Sequence, residues 1–203
     1  MNQGPFSPAA ERNKNPILEV LKDLLPGNAE VLEIGSGTGQ HALYFCHDLP
    51  GISWQPTELK ESVASLRHGL QAATGNIRPP VAINVQDPQW RLDKFDVLFT
   101  ANTLHIMSWQ AVCAFFYGAG RHLRAGGIAV IYGPFKYHGQ HTADSNRTFD
   151  LELGRKAPQM GVRDVVDVRV VAQTAGLAMK EDIDMPVNNR ILVFGKNGEP
   201  GNE

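Results

Sequence analysis

Residues 30–45, EVLEIGSGTGQHALYF, run from a short apolar strand through a turn with glycines at 35, 37 and 39 and on into a helix. Such a turn leaves backbone N–H groups and a helix N-terminus free at the carboxyl end of the strand, the edge where open α/β sheets bind ligands. The spacing decides what it holds. A triphosphate loop needs GxxxxGK[ST], and Gly35 to Gln40 contains no lysine. A dinucleotide loop needs GxGxxG or GxGxxA, whose last small residue lets helix and strand close. That place is Gln40, a long polar side chain.

The rest of the chain sets this turn in an alternating pattern. Strand-like runs follow at 52–57, 81–85, 95–101 and 128–133, separated by helical segments at 39–49, 59–73 and 108–124. Strands alternating with helices of this length make β-α-β crossovers and a parallel sheet. Ahead of them, 16–25 puts Ile17, Leu18, Leu21, Leu24 and Leu25 on one face, with Asn15 as N-cap and Pro16 in the first helical place. Ser7-Pro8 begins another short helix carrying Glu11, Arg12 and Asn13. Residues 134–162 are polar and turn-rich with no clear strand. A helix is expected over 164–175, then strands near 179–184 and 190–195. The link between those two strands, Met185 to Asn189, is too short for a parallel crossover, so they pair antiparallel. No repeat or linker interrupts the pattern, which predicts one domain over 1–203.

Bulk properties narrow the function. The 203 residues are 42% hydrophobic and 20% charged, with a net charge of −2, which suits a soluble globular protein. Without a dense basic run, no nucleic-acid partner is expected, and the mixed charges give a membrane surface nothing to hold. No apolar stretch approaches the roughly 18 residues of a membrane span, and the N-terminus lacks a signal-peptide core. Cys46 and Cys113 lie in apolar helical patterns and read as buried thiols of a reducing compartment. The cytoplasm is the expected location. Nothing in the sequence sets an oligomeric state.

The stretch EIGSGTG resembles the first motif of the seven-stranded class I methyltransferases, which bind S-adenosyl-L-methionine. That cofactor carries no pyrophosphate, so its methionine end and ribose can pack directly on Gly35, Ser36, Gly37 and Gly39. The resemblance gives Glu33 the cofactor's ammonium. Glu58 lies 19 residues after Gly39 and is placed to accept the ribose hydroxyls. Asp87 takes the adenine amino group, and Asn102 the methionine moiety. The implied fold is Rossmann-like, with a seven-stranded, mostly parallel sheet, an antiparallel last strand and helices on both faces. Tyr132 and Lys136 also fit the Tyr-x-x-x-Lys spacing of short-chain dehydrogenases. That pair must share a helix face, and Gly133-Pro134 after a strand opposes a helix there. Over almost the whole chain, the segments SPAAERNKNPIL, LEIGSGTGQHALYF, WQPTE, ANTLHI, YGPF, TADSNRTFD and MPVNNRILVF resemble the family of methyltransferase-like protein 26. Many related bacterial members carry an aspartate after Pro-Ser. Here Pro56-Thr57 is followed by the longer Glu58, which still reaches a ribose.

Methyl transfer from a sulfonium asks the protein mainly for alignment and exclusion of water. An oxygen or ammonium nucleophile must also lose a proton. His105, in ANTLHI beyond the fourth strand, is the candidate base, set against a role in shaping the pocket rim. His41 reads as a partly exposed helix residue, and His138 and His141 have no partners at metal-ligand spacing. The Asn-Pro-Pro-Tyr motif of amino-methylating enzymes is absent at Asn102. Arg12, Tyr132 and Asn146 are the candidate acceptor contacts. Arg12 belongs to an N-terminal region, residues 1–26, that in this fold lies over the cofactor, and Asn146 to the long loop 136–150. The acceptor is expected to be a small molecule. The rival reading is a protein that keeps the cofactor pocket without turnover, as a sensor or partner subunit.

Overall fold

The computed structural model describes residues 6–73 and 75–197. Residues 1–5 of the N-terminal region therefore lie outside the described residues. The elements run α1 (Pro8–Leu24), β1 (Glu30–Glu33), α2 (Gln40–Asp48), β2 (Ser53–Glu58), α3 (Val63–Gly69), β3 (Val81–Ala82), β4 (Phe95–Ala101) and α4 (Trp109–His122). There follow β5 (Leu123–Gly133), β6 (Phe135–Tyr137), β7 (Gln140–His141), α5 (Asp144–Lys156), β8 (Arg163–Asp164), α6 (Val165–Thr174), β9 (Leu177–Met185) and β10 (Asn189–Lys196). Seven strands form one sheet in the order β3-β2-β1-β4-β5-β10-β9, flanked by helices. β1 pairs parallel with β2 and β4, while β10 pairs antiparallel with β5 and β9. This is the Rossmann-like class I methyltransferase fold. A small second sheet runs β7-β6-β8. No helix of the described residues is long and apolar enough to cross a membrane.

The contacts divide the chain into two compact units, Met1–Asn84 with Phe95–Thr100 and Val85–Lys94 with Ala101–Glu203. In the first, Phe45 of α2, Trp54 of β2 and Phe99 of β4 pack mutually at 5.5–5.7 Å between ring centroids, fully buried. In the second, Phe116 of α4 meets Phe115 and Phe194 edge-on, above the buried run Ala129–Tyr132 of β5.

Three expectations are corrected. The two N-terminal helices are one, capped where Ser7 Oγ accepts the Ala10 N–H at 3.3 Å, with Pro16 in its interior. An interior proline costs about 3 kcal/mol, and burying each of Ile17, Leu18 and Leu21 returns about 1.5–3 kcal/mol, so burial wins. The stretch 134–162 contains β6, β7 and α5. Of the thirteen residues of α5, Asn146 and Leu153 alone are buried, leaving almost no apolar period for sequence to show. Of the two cysteines, Cys46 is buried and Cys113 is half-buried.

Candidate functional site

In the first unit the loop from β1 to α2 has the backbone that glycine permits. Gly35, Gly37 and Gly39 all have positive φ, at 74°, 56° and 79°. Gly39 also has no room for a side chain, since a Cβ there would stand 2.7 Å from Leu70 Cδ2. Ser36 joins this loop to β2 twice: its N–H donates to Thr57 O at 2.8 Å, and its Oγ accepts the Thr57 N–H at 3.0 Å. At the end of β2, Glu58 accepts the Gly37 N–H at 3.2 Å on Oε2 and the Leu59 N–H at 3.1 Å on Oε1. Glu33 is 1% exposed and accepts the Trp54 Nε1–H at 2.9 Å. Burial pushes its carboxyl up to about 7, against the pull of the Ser36 and Trp54 hydrogen bonds and with the Glu58 charge adding to the rise. Glu33, Gly35, Ser36, Gly37, Gly39 and Glu58 are thus gathered around one loop.

The N-terminal helix is fastened to this loop through Gln40 and His41, in pairings that their spacing in the sequence does not announce. Gln40 Oε1 accepts the Ser7 N–H at 2.5 Å and the Thr38 hydroxyl at 2.9 Å, and its Nε2 donates to Glu11 at 3.2 Å. One residue on, His41 is buried, correcting the expectation of a partly exposed side chain. Its Nε2–H donates to the buried Asn13 Oδ1 at 2.7 Å, its ring stacks on Phe45, and burial holds its pKa down to about 4. Arg12 is exposed and has no ion-pair partner among the described residues.

In the second unit, Asn102 follows β4 in the left-handed region, φ 57°, and its N–H donates to Tyr132 O at 2.9 Å. Tyr132 is buried near the end of β5. The next residue, Gly133, lies so close to His105 that a Cβ there would stand 3.9 Å from Nδ1. Asn102, Tyr132 and His105 therefore come together. His105 is 7% exposed, with its ring edge-to-face against Phe149 of α5 at 5.1 Å. No buried side-chain nitrogen or oxygen among the described residues lacks a partner, and the His105 ring nitrogens have none among those residues, so they keep some contact with solvent. Burial, and secondarily the Arg163 charge, holds this imidazole down to about 4 and uncharged at neutral pH.

The backbone around His105 is gripped from residues 159–163. Gly161 N–H donates to His105 O at 2.9 Å. The Arg163 guanidinium donates to Leu104 O at 3.1 Å, to Gln159 O at 3.0 Å and to Met107 O. No local sequence signal marks Arg163. Asn146 lies on the helix that carries Phe149, and its amide donates to Thr142 Oγ1 at 2.9 Å and to Asn188 O at 2.8 Å, holding the turn in which Val187 and Asn188 have positive φ. Asp87 is exposed in a bend of the loop between β3 and β4. Among the described residues no three His, Cys, Asp or Glu side chains are grouped to hold a metal ion.

A family model described as "Protein of unknown function (DUF938)" matches residues 4–196, and the chain belongs to that family. Among solved structures, it is similar to an O-methyltransferase family protein from Burkholderia thailandensis, with TM-score 0.80 and 17% identity over 94% of this chain and 58% of that one. It is also similar to CalO1, a methyltransferase in calicheamicin biosynthesis, in its S-adenosylhomocysteine-bound form (TM-score 0.74, 18% identity, 91% of this chain, 54% of that one). Human N-acetylserotonin methyltransferase in complex with S-adenosylmethionine matches at TM-score 0.71 and 14% identity, over 93% of this chain and 58% of that one. The chain thus spans little more than half the length of these proteins.

Proposed function

We propose that this protein is an S-adenosylmethionine-dependent methyltransferase acting on a small-molecule acceptor, and that its kinship within the fold is with methyltransferase-like protein 26. The observation carrying the reading is the β1–α2 turn: three left-handed glycines at alternate positions, with the Glu58 carboxylate drawn onto the Gly37 N–H. The residues fit the cofactor. Above Gly37 a Cβ would meet nothing within 4 Å, so the backbone is open to a ligand. Glu58 offers two oxygens for a ribose diol, and Glu33 supplies a buried negative charge once a cation draws its proton away. Asp87 and Asn102 take the adenine and methionine ends. When bound, S-adenosylmethionine supplies a methyl group on a sulfonium, open to in-line displacement.

His105 does the proton chemistry. Uncharged, and with its ring nitrogens on the solvent side, it accepts the proton of an acceptor hydroxyl as the methyl bond forms. A hydroxyl acceptor is supported by the name of the Burkholderia relative, an O-methyltransferase family protein. Arg163 holds the carbonyls on either side of His105, which sets the angle of approach. Tyr132, Asn146 and Arg12 are the acceptor contacts, with the Asn146 Nδ2 committed to Thr142 and Asn188 so that its Oδ1 is what it offers. Gln40 disfavours the nicotinamide alternative twice over, by its size at the third glycine place and by its ties to Ser7, Thr38 and Glu11.

Titration calorimetry with S-adenosylhomocysteine, with NADH as control, tests the cofactor. Micromolar binding of the first alone is expected, and binding of neither would overturn the enzyme reading. Formation of S-adenosylhomocysteine from S-adenosylmethionine with cell extract separates an enzyme from a silent binding protein, which would bind and not turn over.

A further inference from the structure

Trp109, Lys136, Val162, Arg163, Asp164 and Asp167 line a pocket of about 370 Å³ in the second unit. That is at the small end of the ~300–1,000 Å³ of small-molecule sites. Trp109 is 40% exposed, whereas Trp54 and Trp90 are 0% and 4% exposed. A partly exposed indole in the lining of a pocket offers a face for stacking.

The charges in this lining are unequally committed. Asp164 caps α6 and already takes three backbone N–H groups, from His138 at 3.3 Å, Gly139 at 2.6 Å and Val166 at 2.9 Å. Arg163 spends Nε and Nη2 on carbonyls, and its Nη1 has no partner among the described residues. Lys136 Nζ stands 3.6 Å from Asp150, a loose ion pair. Asp167, exposed in the first turn of α6, has no partner among the described residues. What remains is a guanidinium edge and an ammonium, one carboxylate and one aromatic face.

We infer that this pocket binds a small zwitterion with a flat apolar body, the chemical class of the aromatic amino acids. Its carboxylate pairs with Lys136 and the free edge of Arg163, its ammonium with Asp167, and its ring with Trp109. A simple anion would leave its charge facing Asp167, and a simple cation would leave Arg163 and Lys136 without a counter-charge. A zwitterion satisfies both. The site does not depend on the methyl-transfer reading. It does share Arg163 with the His105 loop, so occupancy would fix that guanidinium from its free edge as well.

The test titrates the full chain with L-phenylalanine, phenylalaninamide and 3-phenylpropionate, following the Trp109 indole N–H by NMR. Phenylalanine is expected to bind about tenfold more tightly than either analogue, each of which lacks one charge. Trp109→Ala and Lys136→Gln should each weaken it about tenfold, the first followed by calorimetry. Asp167→Asn should erase the advantage of phenylalanine over 3-phenylpropionate while leaving its advantage over the amide. Equal binding of all three compounds, no binding below ~10 mM, or affinity unmoved by Trp109→Ala and Lys136→Gln would each overturn the proposal.

Discussion

Glu58 ends β2 with both carboxylate oxygens already accepting backbone N–H groups, so it is held in place before any ligand arrives. A hydrogen bond from a ribose hydroxyl to that anion contributes about 1.5–3 kcal/mol. Glu58→Gln keeps the shape and removes the charge. It should weaken S-adenosylhomocysteine about tenfold by calorimetry, and an unchanged affinity would remove Glu58 from the cofactor site. In the proposed mechanism Arg163 belongs to a different step. Arg163→Gln should leave that affinity within about twofold while cutting S-adenosylhomocysteine formation at least about tenfold, because a misplaced base slows chemistry without loosening the cofactor. Loss of both together would mean that Arg163 acts on the fold in general. At this scale, what sequence shows is what local geometry demands. Glycines at 35, 37 and 39 are legible because each needs positive φ. Gln40 to Ser7, His41 to Asn13 and Arg163 to Leu104 are pairings across 33, 28 and 59 positions, and no spacing rule announces them.

Among the elements, those with strong apolar periods were legible to within a few residues: β4, α4, α6 and the β9–β10 hairpin, whose antiparallel sense follows from its short link. The elements missed were the short strands β6 and β7 and the helix α5, which is polar on nearly every face, and the element divided in two was α1, where proline is ordinarily a boundary. The second case gives a prediction. Pro16→Ala restores an N–H to the helix interior and removes a steric clash, so it should stabilise the protein by about 1–3 kcal/mol in urea denaturation. A lower midpoint would show that α1 needs the proline to seat Ile17, Leu18 and Leu21. Capping gives a second. Asp164 serves α6 and the β6–β7 turn at once, and Asp164→Ala should cost about 2 kcal/mol, the upper range for a lost N-cap. Its backbone N–H partners hold its pKa below the ordinary carboxylate range despite burial. The stability it contributes is present above the unfolded value near 3.9 and lost as pH falls through the lower folded one. Asp164→Ala should lose that acid-limb dependence along with the stability.

For the molecule as a whole, three buried groups set how stability responds near neutral pH. His41 and His105 are held at about 4, and Glu33 is raised to about 7. Between pH 4.5 and 6.5 each histidine is protonated more in the unfolded chain, so each makes stability fall as pH falls. Glu33 is protonated more in the folded chain between its unfolded value of 4.5 and about 7, so its contribution is full below that window and lost as pH rises through it. Two protons oppose one. The net is a loss of about 1.4 kcal/mol for each pH unit below 6.5, with a shallow optimum near that pH before the Glu33 contribution is fully gone. Glu33→Gln should steepen the acid slope toward two protons, because the opposing group no longer titrates. His41→Gln should flatten it toward zero, since one histidine then balances Glu33. Urea midpoints at pH 5, 6 and 7 read all three slopes. A slope in the wild-type protein that does not move with either substitution would place the titrating groups elsewhere, and the buried glutamate beneath the glycine loop would then be ionised before any cofactor reached it.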